Sequence, residues 1–167
     1  MAVAGESAGG NLAINAAIAA RDQRLPRPVH MLLVYPVAGT DTNTPSYQEN
    51  TATVPLSRGD ILWFVEQFTR SPLDLQDPRL NVIGGANLRG LPPATIINAE
   101  IDPLRSDGEM LARRLNEAGV QVEQRTFQGV THEFFGTAPL VADATAAQGY
   151  AGQRLRAAFG APQSAAS

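Results

Sequence analysis

The chain has 167 residues, which is enough for a single domain with a substantial buried core. Hydrophobic residues make up 44% and charged residues 17%, a balance that is typical of a globular protein and excludes a disordered chain. A net charge of −3 with 13 scattered Lys and Arg residues argues against a nucleic-acid-binding surface, and the lack of cysteine excludes disulfides and thiolate metal sites.

The first element of the chain carries its strongest motif. Residues 5–10 read G-E-S-A-G-G, which fits the G-x-S-x-G nucleophile elbow, and they follow the end of an apolar strand at residues 1–5. A helix is predicted directly afterwards, over residues 8–22, so strand, sharp turn and helix follow one another as the elbow requires. The flanking glycines let strand and helix pass close together around a strained backbone. This context predicts that Ser7 is a nucleophile.

The remaining elements also alternate between strand and helix. Continuous apolar runs are typical of strands buried on both faces, and helical spacing of apolar residues predicts the helices. Such alternation predicts an α/β fold, a three-layer sandwich with a mostly parallel sheet and right-handed crossovers. The predicted strands cover residues 30–37, 94–99 and 120–127, and the predicted helices cover residues 57–68 (with Ser57 as cap), 106–118 (with Gly119 as stop) and 145–159.

A long stretch, residues 38–93, separates the second and third predicted strands. It is too long for a plain crossover, so we expect an insertion on the cap side of the domain that lies over one end of the sheet and forms a substrate wall. Trp63, Phe64 and Phe68, on the one clear helix of this stretch, are candidates for lining a substrate pocket. The alternative, that they form the core contact of that helix, is equally weighted.

Three residues have the types and the order of a catalytic triad. Serine is a weak nucleophile that needs a base to take its proton and an acid to orient that base. One known order along a chain is serine, acid, histidine, and this sequence offers Ser7, Asp102 and His132. Each lies at or just after the C-terminal end of a predicted strand. Because parallel strands bring those ends to one edge of the sheet, we expect the three side chains to converge there.

Other residues compete for the acid and base roles. Glu100 lies two positions before Asp102, and it can instead point into the turn at the strand end. Asp107 opens the next helix, where a charge favoured by the helix dipole is the preferred interpretation. His30 begins a buried strand at the opposite edge of the sheet, so we expect a partly exposed residue without a catalytic role. His132 has no comparable rival.

Three blocks of the sequence closely resemble the signatures of one family. They are G-E-S-A-G-G-N-L-A at residues 5–13, D-P-L-R-S-D-G-E at 102–109 and G-V-T-H-E-F-F at 129–135. The family is the hormone-sensitive-lipase-like group of bacterial short-chain carboxylesterases and acetyl hydrolases, which have the α/β-hydrolase fold. The likeness includes H-M-L-L-V-Y-P-V and P-S-Y-Q-E-N, and it extends from residue 1 to about residue 159.

The resemblance implies an esterase that acts on small-molecule, short-chain acyl esters through an acyl-enzyme, without a metal or cofactor. Two positions depart from the common pattern: Glu6 stands where the family commonly has Asp, and Glu133 where it commonly has Gly. Neither departure alters the triad. By position, the implied roles are nucleophile for Ser7, acid for Asp102, base for His132, and a backbone N–H of the oxyanion hole for Ala8.

One signature of the family has no counterpart in the 167 residues. The family carries an H-G-G-G loop upstream of the elbow that supplies most of the oxyanion hole, and this sequence contains no such loop. We therefore expect residues 1–160 to be the C-terminal part of the fold, followed by a disordered tail at 161–167. Each absent oxyanion donor costs about 10²–10³ in turnover, so we expect weak or no activity from the chain alone. We also expect self-association through the exposed first strand.

Three alternatives to an active esterase stay open: a non-catalytic small-molecule-binding protein of the same fold, an inactive fragment, and an enzyme that uses the same triad for peptidase or acyltransferase chemistry. No apolar stretch approaches the roughly 18–20 residues of a membrane span. The stretch from Leu12 to Ala20 lacks a basic leader and is interrupted by Asn15, so it does not predict a secretory signal. We expect a cytoplasmic chain without membrane or nucleic-acid partners.

Overall fold

Four parallel strands form one sheet in the part of the chain that the computed structural model describes, residues 1–160. The sheet order is β1-β2-β3-β4, so each strand is added beside the one before it. The predicted disordered tail lies outside the described residues. The strands are β1 (Val3–Glu6), β2 (Met31–Val34), β3 (Ala94–Ile101) and β4 (Val122–Thr131). The helices are α1 (Ala8–Asp22), α2 (Pro45–Glu49), α3 (Arg58–Phe68), α4 (Val82–Gly85), α5 (Arg105–Glu117) and α6 (Ala142–Ala158), with two 3₁₀ turns at Pro72–Gln76 and Phe134–Thr137.

Helices cover both faces of the sheet. Because each strand is added in the same direction, right-handed crossovers place the connecting helices on one face. Accordingly, α1 and α5 share one apolar core with alternate residues of β2 and β3, whereas α6 packs on the opposite face. The three-layer α/β sandwich with a parallel sheet is thereby confirmed. The first core includes Ile14, Leu33, Ile96, Leu111 and Leu115, and the second includes Val34, Ile97, Phe127, Ala147 and Ala151.

β2 is shorter than the apolar run predicted. It ends at Val34, because Tyr35 takes a positive φ of 33° and Pro36 has no backbone N–H for a ladder.

The helix predicted over 57–68 is confirmed: Ser57 Oγ accepts a hydrogen bond from the Asp60 N–H at 3.2 Å, and Asp60 Oδ2 accepts from the Ser57 N–H at 2.8 Å. The stretch around it contains three further short helical segments where irregular loop was expected.

A bulge between β3 and β4 sets the relative position of their ends. Ala99 pairs with Phe127, but Ile101 pairs with Thr131, so β4 uses two extra residues there. Gly129 lies in the bulge with φ 71°, a conformation that favours glycine. The residues that follow Ile101 and Thr131 therefore leave the sheet side by side.

β1 is an edge strand of the sheet, and the self-association predicted through it stays a prediction. Within residues 1–160, no helix combines the length and the apolar character that crossing a bilayer requires.

Candidate active site

Ser7 occupies a strained turn between β1 and α1. Its backbone has φ 55° and ψ −123°, a conformation that costs about 1–3 kcal/mol for a residue other than glycine. Backbone hydrogen bonds hold it there: its N–H donates to the Val34 carbonyl at 2.9 Å, and its carbonyl accepts from Gly10 at 3.0 Å and Val37 at 3.1 Å. The loop after β2 therefore helps to fix the turn.

The glycines of the elbow are required by close approach. A Cβ on Gly5 would overlap the Gly9 carbonyl group and lie 2.8 Å from the Gly10 nitrogen. A Cβ on Gly10 would lie 2.7 Å from the Pro36 Cβ. Strand, helix and the loop after β2 thus converge within van der Waals distance around Ser7.

The structure brings Ser7, His132 and Asp102 into one hydrogen-bonded row. His132 Nε2 lies 3.0 Å from Ser7 Oγ, and His132 Nδ1 lies 2.7 Å from Asp102 Oδ2. An ionised carboxylate only accepts, so Nδ1 carries the imidazole proton and Nε2 is left to accept from the serine hydroxyl. Each residue directly follows a strand, β1, β4 or β3, as the sheet-edge argument predicts.

Asp102 is fully buried and both of its oxygens are engaged. Besides the contact with His132, its Oδ1 accepts a hydrogen bond from the Leu104 N–H at 2.8 Å. α2 supports this turn: Ser46 Oγ donates to the Pro103 carbonyl at 2.5 Å and accepts from the Ser106 N–H at 3.0 Å. The carboxylate is consequently held in one orientation toward the imidazole.

Comparison with known proteins decides the family. A family model described as alpha/beta hydrolase fold matches residues 1–136, well over half of the chain. The chain belongs to the α/β-hydrolase family. This confirms the family resemblance that the three sequence blocks indicated.

Several relatives of this α/β hydrolase are named as esterases. The carboxylesterase NlhH of Mycobacterium tuberculosis is 40% identical over 158 residues, covering 89% of this chain and 48% of that protein. Ethyl acetate hydrolase of Pseudomonas putida is 34% identical over 145 residues, covering 86% and 46%. The structure of a hyperthermophilic esterase from the archaeon Pyrobaculum calidifontis matches with a TM-score of 0.83 and 38% identity, covering 87% and 48%. The chain spans about half the length of the curated relatives it matches.

The rival acids and the second histidine of the hydrolase have other partners. Glu100 Oε2 accepts a hydrogen bond from the Gly129 N–H at 2.7 Å, so this carboxylate braces the β4 bulge. His30 is 3% exposed, and its Nε2 lies 2.9 Å from Thr95 Oγ1. The expectation of a partly exposed His30 was wrong, because its side chain is buried against Thr95 of β3.

Asp107 is more than a charge at a helix N-terminus. It lies in the first turn of α5 but is only 1% exposed, and its Oδ2 accepts hydrogen bonds from the N–H groups of Ala38 at 2.9 Å and Gly39 at 2.8 Å. It therefore ties α5 to the loop that follows β2. Burial raises the pKa of Asp107 from 3.8 to about 6, although the two N–H donors oppose this shift.

Replacing Asp107 with Asn is expected to remove part of the pH dependence of stability. Because the pKa of Asp107 is higher in the folded chain than in the unfolded chain, wild-type stability falls as the pH rises from about 4 to about 6. The size of this loss is about 3 kcal/mol, complete above the folded pKa. In urea unfolding across this pH range, the free energy of unfolding of the variant should rise by that amount relative to that of the wild type. If the unfolding free energies of the variant and the wild type changed in parallel with pH, the raised pKa of Asp107 would be contradicted. Asp143→Asn, at an exposed site, is the control.

The aromatic candidates of α3 do not form a core contact. Trp63 and Phe64 are each 56% exposed and meet edge to face with ring centroids 5.1 Å apart, and α3 has no buried residue. Phe68 borders a cavity of about 400 Å³, together with Asn11 and Leu12 of α1. The aromatic groups are therefore available to contact a ligand, and their role stays a prediction.

Sequence reasoning missed one residue beside the triad, Tyr35. Its ring lies against the His132 imidazole with centroids 4.3 Å apart. An aromatic residue at the end of a buried apolar run, directly before Pro36, was the available signal. As for metals, residues 1–160 hold no group of three or more His, Asp or Glu side chains placed to bind an ion.

Proposed function

We propose that this chain carries the catalytic residues of a carboxylic ester hydrolase that acts on short-chain acyl esters. The observation that carries the proposal is the row of hydrogen bonds from Ser7 Oγ through His132 to Asp102, at 3.0 and 2.7 Å. Relatives that are named carboxylesterase and ethyl acetate hydrolase, at 40% and 34% identity, support the same reaction class.

Acylation begins when Ser7 Oγ attacks the ester carbonyl carbon. His132 Nε2 takes the hydroxyl proton as the new O–C bond forms, and Asp102 stabilises the imidazolium through Nδ1. When the tetrahedral intermediate collapses, the bond to the alcohol oxygen breaks and His132 returns the proton to the leaving alcohol. Ser7 is left as an acyl ester.

Deacylation repeats the sequence with water as the nucleophile. His132 Nε2 takes a proton from the water while the water oxygen attacks the acyl carbon. The proton then passes from Nε2 to Ser7 Oγ as the acyl–serine bond breaks. The products are one carboxylic acid and the free hydroxyl of Ser7. The residues named suffice for the proton transfers of both steps.

We assign the Ala8 N–H to the oxyanion hole. Ala8 is the first residue of α1, and the N–H groups of a first helical turn lack partners within the helix. They point toward the N-terminal end, where the helix dipole favours a developing negative charge. We further propose that residues 38–93 form the substrate wall, with the exposed rings of Trp63, Phe64 and Phe68 contacting apolar parts of the ester.

A fluorophosphonate probe tests the proposal directly. Ser7 Oγ should form a bond to phosphorus as fluoride leaves and His132 takes the proton, so the wild-type chain should be labelled and Ser7→Ala should not. Ser71→Ala removes a hydroxyl that makes no capping hydrogen bond, and it should label like the wild type. Gel fluorescence and intact mass would measure the adduct. A wild-type chain that labels no faster than Ser7→Ala would contradict the proposal and favour a binding protein or an inactive fragment.

A further inference from the structure

Tyr35 is held in an unusual position beside the catalytic base. It is fully buried, at 0% exposure, and its backbone has a positive φ of 33°. Its N–H donates a hydrogen bond to the Ile97 carbonyl at 2.6 Å, which fixes the backbone at the end of β2. Its ring packs against the His132 imidazole at 4.3 Å with a 49° tilt, and Phe134 meets it edge-on at 6.1 Å. A strained tyrosine is thus packed against the imidazole.

The hydroxyl of Tyr35 ends on a carboxylate rather than on the imidazole. It donates to Glu6 Oε2 at 2.6 Å, a short bond of the kind that charged acceptors form. Burial raises the pKa of Tyr35, and the hydrogen bond to Glu6 raises it further, so the hydroxyl keeps its proton and stays a donor. Glu6 precedes Ser7 directly in the chain, and it pairs with Val34, the residue before Tyr35, in the sheet.

We propose that Glu6 and Tyr35 form a clamp that positions the His132 imidazole relative to Ser7. The inference rests on the proposed function, since it assigns positioning residues to that same triad. Glu6 anchors the Tyr35 hydroxyl, and the anchored ring limits rotation of the imidazole plane. Because Glu6 adjoins the nucleophile, the clamp ties the position of the base to the position of the serine.

The geometry explains why the clamp affects reactivity. His132 makes two hydrogen bonds at once, at 2.7 Å from Nδ1 and 3.0 Å from Nε2, and both depend on the orientation of one ring. A misplacement of about 1 Å at a reacting group can cost about 10²-fold in rate. Tyr35 packs against the imidazole ring at a tilt, and its hydroxyl bonds to Glu6 instead of to either imidazole nitrogen, so it acts through position alone.

Three variants separate the effect of the Glu6–Tyr35 hydrogen bond from the effect of the packing of the Tyr35 ring against His132. Tyr35→Phe keeps the ring and removes the hydroxyl, Glu6→Ala removes the acceptor, and Glu6→Gln keeps an oxygen that accepts. We expect fluorophosphonate labelling of Ser7 to slow about tenfold in the first two and to stay within about twofold in the third. Because the two residues act through one contact, the double variant Glu6→Ala/Tyr35→Phe should be no slower than either single variant. Tyr150→Phe, in α6, is the matched control.

NMR provides a readout that does not depend on labelling. The chain has two histidines, so the ring Cε1–H and Cδ2–H resonances of His132 can be followed with His30 as an internal reference. Tyr35→Phe and Glu6→Ala should both shift the His132 resonances and leave those of His30 in place. Glu6→Gln should leave the resonances of both histidines in place. Glu6 is hydrogen-bonded to Tyr35 rather than to His132, so the effect of Glu6→Ala on the imidazole is transmitted through the Tyr35 ring.

The two readouts distinguish failure of the clamp from failure of the proposed function. If His132 resonances in Tyr35→Phe and Glu6→Ala coincide with those of the wild type, the clamp is overturned whatever the labelling result. If the wild type fails to label while these resonances move, the esterase proposal fails and the clamp stands as a device that orients His132.

Discussion

Asp102→Asn is expected to lower the rate of Ser7 labelling by the fluorophosphonate probe by as much as about 10⁴-fold. The carboxylate accepts from His132 Nδ1 at 2.7 Å and from the Leu104 N–H at 2.8 Å, so it selects the tautomer that leaves Nε2 free. An amide in its place can turn an NH₂ group toward Nδ1, which then becomes the acceptor and moves the imidazole proton to Nε2. His132 would no longer accept the serine proton. A 10⁴-fold loss corresponds to about 5.4 kcal/mol of transition-state stabilisation.

The measurement is the second-order rate at which the fluorophosphonate probe labels Ser7. Glu100→Gln is the matched control, because it changes an acid two positions away that accepts from the Gly129 N–H instead of contacting His132. We expect the control to remain within a few-fold of the wild type. If Glu100→Gln caused the larger loss, the assignment of Asp102 as the triad acid would be wrong. Circular dichroism would verify that both variants remain folded.

The sequence predicts the fold and the meeting of the three side chains for one physical reason. Parallel strands bring their C-terminal ends to the same edge, so residues that follow β1, β3 and β4 converge however far apart they lie in the chain. Ser7, Asp102 and His132 could be selected on this rule and on residue type. Their catalytic roles are the part that labelling and kinetics must test.

What the sequence could not predict depends on contacts between distant segments. The end of β2 at Val34 follows from the backbone that Tyr35 adopts, and the Tyr35 hydroxyl bonds to Glu6 from another strand. The bulge at Gly129, which aligns His132 with Asp102, is stabilised by Glu100. Local patterns of hydrophobicity contain no signal for such pairings. The contacts between distant segments supply the fine positioning of the site, whereas the hydrophobic periodicity predicts the strands and helices that carry it.

Gly5→Ala is expected to destabilise the chain by at least about 3 kcal/mol, at or above the upper end of the usual cost of overpacking. The added Cβ would overlap the Gly9 carbonyl group and lie 2.8 Å from the Gly10 nitrogen, and both neighbours are backbone that cannot rotate away. Relief requires β1 and the start of α1 to separate, which would also move Ser7 away from His132. Labelling should therefore be lost together with stability.

Gly9→Ala is the matched control within the same motif. A Cβ on Gly9 would meet no atom within 4 Å, and the residue lies in α1, where alanine is favoured over glycine by about 0.5–1 kcal/mol. Urea unfolding should thus show Gly5→Ala strongly destabilised and Gly9→Ala unchanged or stabilised. Equal effects would mean that the glycines serve backbone flexibility. Opposite effects would show that the elbow needs glycine at residue 5 because strand and helix backbones touch there, which is what allows Ser7 to stand clear of the sheet.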